Sequence, residues 1–271
     1  MLRDITIGQY FPGDSLLHRL DPRMKLVLTL LFIVLVFIPH HWIGLAILSV
    51  LLAATVALSR LPVRLVWRSV KPILPVILFT ALLNMLYVTG GTPLADWHFI
   101  HITTRGLHTA GFIAVRIVCL LAGSSLLTYT TTPTALTDAL EYLLRPLRVV
   151  RVDAHELAMM MTIALRFTPT LVEETDKIMS AQKARGADME GGSLIARVKA
   201  LVPVLIPLFV SAFRRAYELA TAMECRCYQG GAGRTRMKEL RTAPRDWVAL
   251  AVCALAAAGL IALNAVFPSV L

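Results

Sequence analysis

Apolar residues gather into long runs along this chain, and short polar, basic segments separate them. The first run, Lys25 to Ile38, follows "LDPRMK", where Asp21 suits a helix cap and Pro22 its first turn. It ends at "PHHW", Pro39 to Trp42. A second run extends from Trp42 to Leu58, a third from about Pro72 to Val88, a fourth from about Gly106 to Tyr129, and a last from Trp247 to Phe267. A bilayer core takes about 20 apolar residues, so each run is near the length of a spanning helix. The first two are short and also suit a tilted or partly embedded hairpin.

Between Thr130 and Pro244 the pattern changes. This stretch is too long for a connection and too apolar for a disordered loop. It predicts three helices. "TTPTALTDALEYLLRPL" begins with Thr132 as a cap and Pro133 in the first turn, and stops near Pro146. The second helix begins with Asp153 and Glu156, spaced as a capping box, and carries Leu157, Met160, Ala164, Phe167, Leu171 and Ile178 as a stripe. The third runs from about Ser193 to Tyr228. The last two are apolar in their first halves and charged in their second halves. Pro169, Pro203 and Pro207 predict bends in them.

Charge orders these segments. Arg3, Arg19, Arg23 and Lys25 precede the first run, and Arg60, Arg64, Arg68 and Lys71 follow the second. The turn at Pro39 to His41, the loop from Thr89 to Thr104 and the tail after Phe267 hold no Lys or Arg. Most remaining cations lie between Arg145 and Arg245. The alternation predicts a cytoplasmic N-terminus, five spans and an outside C-terminus. The divisions are a four-span region at 1–131, coupling helices on the cytoplasmic side at 132–244, and a last span at 245–271. With 57% hydrophobic residues, 16% charged and a mean hydropathy of +0.69, the chain is read as an all-α polytopic membrane protein. Its net charge of +10 then reflects cytoplasmic loops and not nucleic acid.

Candidate chemistry is sparse. No phosphate-binding glycine loop is present, and "QGGAGRTR", Gln229 to Arg236, lacks both the lysine and the preceding strand. Cys119 and Cys253 lie in apolar runs and read as small buried hydrophobes. Cys225 and Cys227 flank Arg226, a pair too small to complete a zinc site. Arg116, inside the fourth run, reads as a structural contact with a carbonyl or acid. His98 and His101 read as surface residues of an outside loop. No enzyme, cofactor or metal site of this chain's own is expected.

Two helix ends stand out, "SAQKARGAD" at Ser180 to Asp188 and "AMECRCYQGG" at Ala222 to Gly231. Each places an arginine between small residues at the end of a long helix. A cation there suits the helix dipole, and Gly186, or Gly230 and Gly231, would supply the left-handed cap. Small neighbours also leave the planar guanidinium free to enter a groove. A pair of such ends suits a two-fold or pseudo-two-fold partner.

The stretches "IGQYFPGDSLLHRLDPRMKL", "HELAMMMTIALRFTPTLVEETDKIMSAQKARGAD" and "VPVLIPLFVSAFRRAYELATAMECRCYQGGAGRTR" resemble the transmembrane T component, EcfT, of energy-coupling factor transporters, in its shared type. The resemblance implies an L-shaped protein with spans and coupling helices. It implies two ABC-type ATPase subunits as partners, which bind ATP and Mg, and one substrate-capturing S component. It also implies two X-Arg-X motifs that dock on the ATPases, here Ala184-Arg185-Gly186 and Cys225-Arg226-Cys227. The second departs from the usual pattern, because Cys227 removes the glycine and leaves its cap geometry open. The implied role is a membrane coupler for vitamin or metal-ion uptake in a prokaryotic plasma membrane. Two other classes are the permease of a conventional ABC importer and a stand-alone secondary transporter. The first predicts one coupling loop and a polar pore, the second ionisable groups near the midplane.

Overall fold

In a computed structural model of the chain, the described residues are 10–87, 93–97, 100–146, 154–187, 191, 193–230 and 240–266. Helices dominate them: α1 (Pro22–Phe37), α2 (Trp42–Ser59), α3 (Val63–Val70), α4 (Leu74–Tyr87), α5 (Thr104–Thr130), α6 (Pro133–Leu144), α7 (Ala154–Ala184), α8 (Leu194–Glu224) and α9 (Pro244–Val266). A 3-10 turn, Lys71–Ile73, leads from α3 into α4. The fold class is that of an all-α polytopic membrane protein. One addition lies in the segment read as a plain loop. There β1 (Pro93–Trp97) and β2 (Ile100–Thr103) pair antiparallel, Trp97 opposite Ile100. His98, the side chain of His101, and Asp153 of the expected capping box lie outside the described residues.

Among the described residues, five helical segments are long and apolar enough to cross a membrane: Trp42–Ser59, Val63–Tyr87, Thr104–Thr130, Val198–Glu224 and Pro244–Val266. Four of them match predicted runs. The first run became α1, whose 16 residues rise only about 24 Å against a hydrocarbon core of about 30 Å. The additional segment is most of α8, which the sequence reading placed among the coupling helices. Both α7 and α8 span 31 residues, about 46 Å each, and their helical backbone continues through Pro169, Pro203 and Pro207. The expected bends do not interrupt it.

Contacts divide the chain into two compact units. One is built on Gly8–Ala139 with Glu239–Leu271, the other on Leu140–Lys238. In the first, Leu35 and Val36 of α1, Leu48 and Leu52 of α2, Cys119, Ala122 and Leu126 of α5, and Leu260 of α9 form the buried core. Gly123 lets α1 approach α5 closely, since a Cβ there would sit 2.2 Å from the Phe32 ring. Cys119 is buried as expected, and Cys253 is half-buried.

Polar groups in this unit are spent on backbone ends. The side chain of Asp21 accepts from the Arg23 N–H at 2.9 Å, which is the cap predicted for α1. Asp246, 1% exposed, accepts from the backbone N–H of Asp21 at 2.9 Å and of Ala243 at 2.7 Å. One carboxylate therefore serves the starts of both α1 and α9. Lys25 Nζ donates to the Thr130 carbonyl at 2.9 Å, where α5 ends. At the turn between α1 and α2, Arg116 donates to the Pro39 carbonyl at 2.5 Å and lies over the Phe112 ring. Its role is the structural one read from the sequence. Asn264 closes the same turn by donating to the Ile38 carbonyl at 2.7 Å.

Replacing Asp246 by alanine strips two N–H groups of a charged acceptor. Asp246→Ala is expected to cost about 2–3 kcal/mol. Thermal unfolding in detergent reads this as a lowered midpoint, with Asp246→Asn roughly half as severe. An unchanged midpoint in Asp246→Ala contradicts the assignment.

Candidate functional site

An α-helix ends with carbonyls that have no partner in its own ladder. At the end of α7 the N–H of Ala187 donates to the Gln182 carbonyl at 3.0 Å, and the N–H of Gly186 to the Lys183 carbonyl at 3.0 Å. Gly186 is left-handed, with φ +87°. This is the Schellman closure, and it puts Arg185 at the last position before the left-handed residue. No atom lies within 4 Å of a Cβ placed on Gly186, so backbone conformation and not space asks for glycine there.

The end of α8 repeats this closure residue for residue. The N–H of Tyr228 donates to the Met223 carbonyl at 3.1 Å, and the N–H of Cys227 to the Glu224 carbonyl at 2.9 Å. Cys227 takes the left-handed place, with φ 55°. The expected use of Gly230 or Gly231 for this cap is thus corrected: Gly230 is left-handed too, at φ +86°, but lies three residues beyond the cap position, and Gly231 lies outside the described residues. A non-glycine residue held left-handed costs roughly 1–2 kcal/mol, which the two cap hydrogen bonds offset. Arg226 therefore occupies the same place as Arg185. Ala184, Arg185 and Gly186 are exposed, as are Cys225, Arg226 and Cys227. Neither guanidinium has a hydrogen-bond or ion-pair partner among the described residues.

Three ties fix how the two ends stand to each other. Pro207 has no N–H, so the Pro203 carbonyl four residues earlier loses its helical donor. The Nε2 of Gln182 donates to that carbonyl at 3.4 Å. Midway, Glu174 accepts from the Ser211 hydroxyl and from Arg215 at 2.8 Å. At the far end, the Tyr228 hydroxyl donates to the Met159 sulfur at 2.9 Å. Partners descend along α7 as they ascend along α8, so the helices run antiparallel. From Met159 to Gln182 a straight helix rises about 35 Å. Arg185 and Arg226 thus sit at opposite ends of one tied pair, on the order of 35 Å apart.

Sequence reasoning named both arginines and their neighbours but missed Gln182, Ser211 and Tyr228. Glu174 and Arg215 fall in the halves it read only as charged. The spacing of Pro203 and Pro207 was the available signal, since prolines four apart leave one helical carbonyl open.

A second surface is apolar. Along α8, Val198, Val202, Ile206, Phe209, Phe213 and Tyr217 recur at helical spacing and are 45–76% exposed. Leu201 and Leu205 beside it are likewise exposed.

The sequence model of the family described as Cobalt transport protein (CbiQ) matches residues 13–238. The energy-coupling factor transporter transmembrane protein EcfT of Ruminiclostridium cellulolyticum is 54% identical over 241 residues, 89% of this chain and 90% of that relative. The chain belongs to the EcfT family. EcfT of Clostridium kluyveri is 53% identical over 257 residues, covering 94% of each chain. EcfT of Thermosediminibacter oceani is 50% identical over 260 residues, 96% of this chain and 98% of that one. This EcfT-family chain is accordingly a multi-pass transmembrane component of a transporter.

The two caps share their hydrogen-bond pattern but hold different residues at the left-handed position, Gly186 and Cys227, which makes a direct comparison. Cys227→Gly is expected to stabilise the second cap by about 1 kcal/mol, and Gly186→Ala to destabilise the first by a similar amount. Amide hydrogen exchange at Tyr228 and Ala187 reads each change locally. Slower exchange in Gly186→Ala than in wild type contradicts the left-handed assignment.

The mid-helix tie is pH-dependent. The hydrogen bond from Ser211, with the Arg215 charge beside it, holds the Glu174 carboxyl below its usual range. Its contribution is therefore fully present above the ordinary carboxylate range and is lost as pH falls through the depressed value. Spin labels on the exposed faces of α7 and α8 should keep one separation down to that point and broaden below it. Glu174→Gln should show the broadened distribution at neutral pH.

Proposed function

We propose that this chain is the coupling subunit of an energy-coupling factor importer, passing ATP-driven motion from two ABC-type ATPase subunits to a substrate-binding S component. The observation that carries the reading is the identical placement of Arg185 and Arg226, each at the last position before a left-handed cap, at opposite ends of a tied helix pair. A separation on the order of 35 Å suits two partner subunits better than one groove. Ala184 and Gly186, and Cys225 and Cys227, flank the arginines without bulk. A guanidinium held this way offers up to five donors to carbonyls or carboxylates in a partner's groove.

In this reading ATP and Mg bind in the ATPases, and this chain holds no cofactor and performs no hydrolysis. Closure of the ATPases on ATP draws the two arginine ends, and opening after hydrolysis releases them. Because Glu174, Ser211 and Arg215 tie α7 to α8, a displacement at either end is carried along both helices. The exposed apolar stripe from Val198 to Tyr217 is the face offered to the S component. Its movement would tilt that partner and release the substrate inward. The substrate class is a vitamin or a metal ion, chosen by the S component, and the family description as a cobalt transport protein favours including metal ions. Residues 1–131 and 245–271 form the membrane region and 132–244 the coupling region. The N-terminus is cytoplasmic and the C-terminus outside, in a prokaryotic plasma membrane.

Charge reversal tests this reading. With Arg185→Glu and Arg226→Glu together, the protein should still insert, while substrate uptake by the reconstituted complex falls about tenfold or more and the ATPases co-purify poorly. Each single reversal should weaken one ATPase contact to a similar degree. Normal uptake with both arginines reversed would sink the assignment.

A further inference from the structure

The short helix α3 carries a division that coupling does not use. Its inner side is fixed. Val66 and Val70 are buried, Ser69 hydrogen-bonds the Tyr129 hydroxyl, and that hydroxyl donates to the Leu65 carbonyl at 3.3 Å. At about 100° per residue, Val63 and Trp67 fall beside the buried strip, and Arg64 and Arg68 fall beyond them. Val63 is 72% exposed and Trp67 57%. Arg64, Arg68 and the following Lys71 are also exposed. Around the helix the order is buried, exposed apolar, then basic. Lys71 opens the 3-10 turn into α4, and Val63–Tyr87 as a whole is apolar enough to cross a membrane.

These cations have no acidic residue near them in sequence. Between Asp21 and Asp138 the only acidic residue is Asp96, on β1, beyond the far end of α4. None of Arg64, Arg68 and Lys71 has an ion-pair partner among the described residues. A tryptophan at an apolar–basic border is the arrangement of a helix lying in a membrane interface. The opposite charge that the site lacks is the one that anionic lipid supplies.

We propose that α3 and Lys71 form a binding site for anionic phospholipid headgroups, with Arg64, Arg68 and Lys71 on the phosphates and Val63 and Trp67 among the upper acyl chains. The site orients α3 on the membrane surface at the mouth of α4. The site belongs to a different unit from the arginine ends and does not depend on their role.

The test uses the full chain in mixed micelles holding equal amounts of phosphatidylglycerol and phosphatidylcholine, with retained lipid counted by native mass spectrometry. Wild type should retain phosphatidylglycerol preferentially. The triple variant Arg64→Gln, Arg68→Gln, Lys71→Gln should lose that preference by roughly tenfold or more, since each surface cation contributes severalfold. Arg64→Lys with Arg68→Lys keeps the charge and should stay within about twofold of wild type, which separates charge from folding. Arg105→Gln, at the far end of the membrane-spanning helices, should leave the preference unchanged. An undiminished preference in the triple variant overturns the proposal, as does an equal loss in Arg105→Gln. Displacement of the lipid by inorganic phosphate also overturns it, because the site would then be one for soluble anions.

Discussion

The placement of the paired ends depends on the contact of Glu174 with Ser211 and Arg215. Two helices of 31 residues each, joined by a connection, could slide or splay. An ionised carboxylate that accepts from a hydroxyl and a guanidinium is specific in direction and distance, whereas apolar contacts tolerate a shift of one turn. Gln182 and Tyr228 hold the two extremities, and Glu174 keeps the middle in register. With the register set, the distance between Arg185 and Arg226 follows from helical rise alone.

The same economy governs the other unit. Its polar side chains act mainly on backbone groups that helices leave open. Asp246 satisfies two starting N–H groups, Lys25 and Arg116 take carbonyls at Thr130 and Pro39, and Asn264 takes Ile38. In surroundings poor in water an unpaired amide is expensive, so charges inside such a unit are spent on chain ends. That is why Arg116, which could be mistaken for a transport residue, is explained by a turn.

Much of this was readable in the sequence because it is carried by local chemistry. The apolar runs gave four of the five span-length segments, and Asp21 and Thr132 announced helix starts that the structure keeps. Both arginine ends were visible from their small neighbours. What was not readable depended on partners distant in sequence. Nothing local says that Asp246 meets Asp21, or that Glu174 meets Ser211. The second cap was misplaced because glycine is the usual signal for a left-handed residue, and Cys227 adopts that conformation without it. The short first run was legible as well: it ends at Pro39, and α1 with its 16 residues stays short of a full span.

Arg185 and Arg226 are proposed to engage two different ATPase subunits at once. Photo-crosslinking in the assembled transporter measures this directly. A photoreactive residue is placed at both positions in one chain, and the products are identified by mass spectrometry. The expected product is a single species joining this chain to two ATPase subunits, one at each position. Both positions joining the same ATPase subunit, or either joining the S component instead, would contradict it.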